Sequence, residues 1–324
     1  MDIKGIKIDG RVILGPMAGI TSLAYRRFMK PFGVALSVSE MISDCGINYN
    51  NAKTLAYLAT SNDDRPVALQ LFGFDPENAV KAIETMERVA DYDILDINLG
   101  CPVHKVVKTG AGSAWLKRPA ELYEYMRKVV SASHKPVSAK IRIGWDSSSI
   151  NVRPVSKMLE QAGVCLLTVH ARTSVQAYSG LPMWEEIRGL GKELSIPLCV
   201  SGDIFTSEAA INAMSIADAD FVMVARGGVG NPELITNINR VLNGEETLDP
   251  PSALKQAEYA KTFATMLKEE KGERVAALDL RGIAPHFFSG FKGYKKIRTE
   301  IALHTKTYDD VIRVLDGIIS RNKI

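Results

Sequence analysis

Between Asn98 and Leu116 the chain reads NLGCPVHKVVKTGAGSAWL, and its lone thiol is the first group that offers chemistry. Cys101 stands between a glycine and a proline just past an apolar run, YDILDI, whereas Cys165 in VCLLTV and Cys199 in IPLCVS lie inside such runs. A cysteine within an apolar run is a small core residue; the exposed glycine–proline setting of Cys101 favours a reactive one. The four cysteines are widely spaced with no CxxC pair, so neither a disulfide framework nor a structural zinc site is expected. Lys140 and Arg142 in KPVSAKIRIGW are two apart and share one face of a strand. A buried face does not hold two free cations without an anion, which points to a phosphate, an anionic cofactor ring or a substrate carboxylate. Two later segments, SGDI from Ser201 and ARGGVGNPE from Ala225, bring glycines to places where backbone N–H groups could approach phosphate oxygens closely. The alternative is that these glycines only serve tight strand–helix turns. Gln70 and His170 also close strand patterns, and each has a bland reading, as a strand cap and as a satisfied structural imidazole. Arg172 either pairs with an acid on a loop or reaches a substrate. GAGSAW lacks the full GxGxxG pattern, and no P-loop, HExxH or GxSxG occurs.

The elements that must hold these residues repeat along the chain. Apolar, β-rich runs recur eight times: RVILGPMAG, VALSVSEM, RPVALQLFG, YDILDINLG, KPVSAKIRIGW, VCLLTVHART, IPLCVSGDI and ADFVMVARGG. Helical segments separate them; DPENAVKAIETMERVA opens with an acidic cap and proline and spaces Val80, Ile83, Met86 and Val89 about a turn apart. Continuous apolar strands alternating with helices imply a parallel sheet, and eight such units imply a (β/α)8 TIM barrel, with a doubly wound open sheet as the competitor. In a barrel the functional groups gather at the C-terminal strand ends, and phosphate commonly sits on the last two loops. Met17, Gln70, Asn98, Cys101, Lys140, Arg142, His170 and the two glycine segments all fall at such ends.

Beyond residue 244 the pattern changes. GEETLDPPSA is polar and turn-rich, and after it Ala253, Ala257, Ala260, Ala264 and Leu267 keep helical spacing. The organisation expected is a catalytic barrel over 1–244 and a C-terminal helical domain over 250–324. Arg281 to Arg298 carries five basic residues and no acidic one, interleaved with Phe287, Phe288, Phe291 and Tyr294. Such a stretch suits RNA contact, or equally a solvated face packed on its apolar side. The chain is 324 residues, 46% hydrophobic and 24% charged with net charge +3, so charge neither demands nor excludes a nucleic-acid partner. No apolar stretch approaches the roughly 20 residues of a membrane span and no signal peptide is evident, so a cytoplasmic monomer without a membrane partner is expected.

In order along the chain, PMAGIT, VSEM, LQLFG, DINLGCPVHKVVKTGAGSAWL, KIRIGW, VHART, SGDI and MVARGGVGNP resemble the tRNA-dihydrouridine synthase family, the bacterial B-type branch above all. The resemblance implies an FMN-dependent enzyme that reduces the C5–C6 bond of uridines in tRNA, with NADPH as electron donor. It implies that Pro16, Met17, Ala18 and Gln70 line the flavin ring and that Lys140 faces its N1/O2 side. His170, Ser201, Gly202, Asp203, Ala225 and Arg226 would hold the ribityl chain and phosphate. Cys101 would be the catalytic acid, and Asn98, Arg142 and Tyr178 would orient the uracil. The basic residues Lys105, Lys108, Lys117 and Arg118 would lie in a mobile loop near the RNA backbone. Ser201, Ala225 and the RGI at Arg281–Ile283 depart from the family's usual residues, and His104 is unusual after CPV. Three other readings remain: a dihydroorotate dehydrogenase-like flavoenzyme, a tRNA-binding folding aid with little catalysis, and a flavin-free barrel enzyme such as an aldolase using Lys140 as a Schiff base.

Overall fold

The computed structural model describes residues 1–321; residues 322–324, the end of the expected helical domain, lie outside them. Eight parallel strands close into a barrel: β1 (Val12–Leu14), β2 (Leu36–Ser43), β3 (Val67–Phe72), β4 (Ile94–Leu99), β5 (Val137–Arg142), β6 (Leu166–His170), β7 (Leu198–Ser201) and β8 (Phe221–Val224). Seven lie within one of the eight apolar runs, and β2 continues two residues past VALSVSEM. β8 pairs back onto β1, so the sheet has no open edge and the doubly wound alternative is excluded.

Period-two alternation sorts the side chains. Leu69, Leu71, Leu95, Ile97, Ala139 and Ile141 turn outward into the core shared with the helices. Ala68, Ile94, Leu166 and Phe221 fill the barrel interior near the strand starts, where Ile3 and Ile8 of an N-terminal hairpin pack against them. Two to four residues further along the same inward faces the chemistry turns polar. Gln70 lies beside Asp96, Asn98 beside Lys140, Arg142 beside His170, and His170 beside Ser201. The alternation that fills the bottom of the barrel with apolar groups thus lines its mouth with polar ones.

The helices follow their sequence signals. Pro76–Val89 is capped by Asp75, which accepts from the N–H groups of Glu77 and Asn78 at 2.8 and 3.0 Å. Ser252 caps the long tail helix Ala253–Ile283, which is interrupted at Gly272, where φ is 75°. Ala257, Ala260, Ala264 and Leu267 are buried there, and Tyr308, Val311 and Leu315 of the final helix, Tyr308–Arg321, join the same core. This tail packs on the barrel's first helix, Leu23–Met29: Phe28 touches Tyr259, Phe263 and Phe287, with ring centroids 6.4, 5.6 and 5.9 Å away. At Gly230 (φ +70°) a Cβ would lie 2.3 Å from the backbone of His286, so the loop after β8 meets the tail main chain to main chain.

The basic aromatic stretch divides. Phe287 and Phe288 are buried and Arg281 donates to the Ala302 carbonyl at 2.8 Å, while Lys292, Lys295, Lys296 and Arg298 stay exposed. Among the described residues no helix is long and apolar enough to cross a membrane, and no group of His, Cys, Asp and Glu could hold a metal ion.

Candidate active site

Cys101 follows β4 and is buried, 8% exposed, contrary to the open setting expected from its glycine–proline neighbours. The cause is the segment that folds back over it. Gly112, at φ +59°, lets the chain turn so closely that a Cβ there would lie 2.7 Å from the Cys101 carbonyl. That carbonyl accepts from both the N–H and the hydroxyl of Ser113, at 3.0 and 2.9 Å, while Val106 and Ala111 pack against the thiol's side chain. Burial pushes the thiol's pKa up, so at neutral pH it holds its proton. The expected mobile basic loop is in fact built structure: His104–Val107 is helical and Gly112–Lys117 forms a 3-10 segment. Lys105 and Lys108 are exposed, but Lys117 lies 3.5 Å over the Trp145 ring, and Arg118 pairs with Glu121 at 2.9 Å. His104 is exposed, and nothing in the structure explains its type.

Beneath the cysteine runs a buried hydrogen-bonded chain. Asn98 Oδ1 accepts from the N–H groups of Cys101 and Gly100 at 2.9 and 3.2 Å, and its Nδ2 donates to Gln70 Oε1 at 2.7 Å. Gln70 Nε2 donates in turn to Asp96 Oδ2 at 2.6 Å, and Ser138 Oγ donates to Asp96 Oδ1 at 2.6 Å. Gln70 and Asn98, read as ring and uracil contacts, therefore also serve each other. Asp96 and Ser138 went unnoticed in the sequence, although the alternation Ile94, Asp96, Asn98 already set Asp96 on the inward face.

Beginning on the neighbouring strand is a cationic cleft lined by Pro16, Met17, Lys140, His170, Tyr178, Ser201, Gly202, Asp203, Ala225 and Arg226, joined by Ile204, Phe205, Met223 and Gly227. Ten of these fourteen come from the candidate residues; Ala18 is exposed outside the lining and Gln70 is buried behind it. Lys140 faces the cleft, and burial and the neighbouring Arg142 push its ammonium down to about 8. Arg142, 1% exposed, donates to the carbonyls of Gly100, Thr173 and Ala177 at 2.9, 2.8 and 2.6 Å, tying the cysteine loop to the loop that carries Tyr178. Tyr178 is sandwiched between cations, its ring 5.4 Å from Arg142 and 4.7 Å from Arg226. His170 is held neutral by burial and by Lys140, Arg142, Arg172 and Arg226.

Of the two roles open to Arg172, the structure realises the first. It is fully buried and pairs with Asp203, which also binds Arg226 at 2.7 Å. Gly227 has no room for a side chain, since a Cβ would lie 1.9 Å from the Ile204 carbonyl, so the loops after β7 and β8 press together at the cleft's end. A half-buried ammonium, a half-exposed guanidinium and two glycine-bearing loops form a donor set for a ligand with an anionic ring and a phosphate.

Known proteins place this geometry in a family. A family model described as "Dihydrouridine synthase (Dus)" matches residues 13–321. The chain is 33% identical over 326 residues to "Probable tRNA-dihydrouridine synthase 1" of Synechocystis sp., covering 100% of this chain and 90% of that one. It is 33% identical over 302 residues to "Probable tRNA-dihydrouridine synthase" of Rickettsia conorii, covering 93% and 91%. It is 34% identical over 295 residues to "tRNA-dihydrouridine synthase B" of Pasteurella multocida, covering 88% of each. The barrel with its cysteine loop and cationic cleft belongs to the dihydrouridine synthase family.

Proposed function

We propose that this chain is a tRNA-dihydrouridine synthase that binds FMN, takes electrons from NADPH and reduces the C5–C6 bond of uridines in tRNA. The observation that carries this reading is a protonated, buried cysteine at the mouth of a barrel, with a half-buried lysine on the neighbouring strand, in a chain of this family. When bound, FMN supplies the hydride, delivered to C6 of the uracil.

The chain's own residues do the rest. Lys140 holds positive charge at the N1/O2 edge of the ring. Pro16, Met17 and Ala18 support the ring, with Gln70 behind it. His170, Ser201, Gly202, Asp203, Ala225 and Arg226 hold the ribityl chain and phosphate, and Arg226 exchanges Asp203 for the phosphate. Asn98, Arg142 and Tyr178 orient the uracil, Asn98 through the N–H that Gln70 does not use. The Cys101 thiol gives its proton to C5; its raised pKa keeps that proton available at neutral pH. A uridine in folded tRNA has to leave its stack to reach this mouth. The unit working on it is a cytoplasmic monomer, with the barrel 1–244 doing chemistry and the helices of 250–324 binding tRNA.

Unmodified tRNA incubated with the protein, FMN and NADPH tests the reading. Dihydrouridine should form, and Cys101→Ala should bind FMN normally yet turn over about 10²–10⁴-fold more slowly, the usual contribution of a general acid. Turnover unchanged in Cys101→Ala removes the acid assignment. A wild-type protein that binds no FMN removes the function.

A further inference from the structure

Within the barrel interior, Asp96 is a carboxylate that lines no part of the cleft. It is 4% exposed, sits on β4 below Asn98, and accepts from Gln70 and Ser138 with both oxygens. Burying a carboxylate is costly, and the positions around the lower barrel interior are apolar. A carboxylate kept there needs a reason.

We propose that Asp96 is a positioning residue, whose carboxylate fixes the Gln70 and Asn98 amides in one polarity and thereby sets where Cys101 sits. The proposal deepens the reading of Cys101 as proton donor and rests on it. An amide has a donor end and an acceptor end, so a chain of two amides can run in either direction. Burial pushes the Asp96 carboxyl's pKa up, while the Gln70 and Ser138 donors and the Lys140 charge on the next strand oppose that rise. With both oxygens already accepting, the carboxylate offers no proton, so Gln70 must turn Nε2 toward it and Oε1 toward Asn98. Asn98 must then offer Nδ2 to Gln70 and Oδ1 to the N–H groups of Gly100 and Cys101, which donate only. Every link is between 2.6 and 3.2 Å, and the chain passes from an acceptor-only group to donor-only groups without a reversal. Without the carboxylate the Gln70 amide can turn over. Its Nε2 would then face Asn98 Nδ2, and the Cys101 N–H would no longer be supported.

The polarity itself can be tested by exchanging charge along the chain. Gln70→Glu sets two carboxylates face to face. Combined with Asp96→Asn, the new amide donates to the new carboxylate, which still accepts from Asn98, so the 70–96 link reverses while Asn98 and the Cys101 N–H keep their polarity. The readout is the rate of iodoacetamide alkylation at each cysteine of the purified full chain, resolved by mass spectrometry, with uridine reduction measured in parallel. Cys165 and Cys199, 4% and 0% exposed, report whether the barrel remains folded. Gln70→Glu and Asp96→Ala should speed Cys101 alkylation and slow turnover by about tenfold or more, as expected when a buried hydrogen bond is broken, with Cys165 and Cys199 still unreactive. The double variant should return the Cys101 alkylation rate to within about threefold of wild type, whatever the charge behind the flavin does to turnover. A double variant as perturbed as Gln70→Glu overturns the proposal. So do single variants within about twofold of wild type, or variants in which Cys165 and Cys199 react as fast as Cys101, because Asp96 then supports the fold alone. Failure of the wild type to make dihydrouridine would sink the functional reading, while the alkylation rates would still decide the role of Asp96.

Discussion

Lys140 is the residue whose protonation the barrel controls most directly. Burial and Arg142 lower its pKa to about 8, with Asp96 pulling the other way. An anionic ligand in the cleft favours the charged ammonium and raises that pKa again. Below pH 8 the lysine is charged with or without ligand, so binding moves no proton; above it, the free protein must take one up. FMN titrated calorimetrically in two buffers of different ionisation enthalpy should show about half a proton taken up at pH 8 and nearly one at pH 9. Lys140→Met should remove that uptake, and a wild type with none at pH 9 would refute the charge role. Much at this scale was legible, because two-residue spacing set Lys140 and Arg142 on one face. The burial of Cys101 was not, since it depends on a turn at Gly112 eleven residues away. Nor was the Arg172–Asp203 pair, whose partners lie 31 residues apart.

The helix Leu23–Met29 follows the loop bearing Pro16 and Met17, and a buried ion pair adds to the aromatic packing that holds it. Arg26 Nε lies 2.8 Å from Asp64 Oδ2 with the two side chains 2% and 0% exposed, and its remaining nitrogens donate to the Thr21 and Ala59 carbonyls at 3.1 and 2.7 Å. Asp64→Ala strands this guanidinium in the core and should destabilise the protein by about 3–5 kcal/mol. Glu77→Ala, at an exposed pair with Lys128, should leave stability nearly unchanged because water screens the pair. Urea unfolding of the two variants checks the contrast, and equal costs would mean that Arg26 is solvated some other way. The eight strands and the capped helices were legible because alternation and caps are local signals. The 3-10 segment that closes over Cys101 carries no such period, and its lysine and arginine look free until Trp145, Trp115 and Glu121 are brought beside them.

Across the whole molecule, the exposed basic groups Lys292, Lys295, Lys296 and Arg298 stand on the tail, apart from the buried Phe287 and Phe288. Sequence interleaves these two sets, whereas the fold separates them, with Phe287 and Phe288 packed inside and the lysines left on a solvated face. Lys295→Glu with Lys296→Glu should weaken tRNA binding and flatten its dependence on salt, by about 0.7–0.9 in log–log slope for each phosphate left without its cation. FMN affinity should not change. An unaltered affinity and slope would move the RNA to another face.

Phe28, near the start of the chain, is closed over by Tyr259, Phe263 and Phe287, near its end. On a ribosome the first barrel helix therefore waits for the last turns of synthesis. Until residue 287 emerges, Tyr25 and Phe28 lie bare on a barrel whose eight strands have all been made. That interval is when chaperones or aggregation can claim the nascent chain. A message cut short after the barrel would yield a sticky, incomplete product rather than a smaller enzyme.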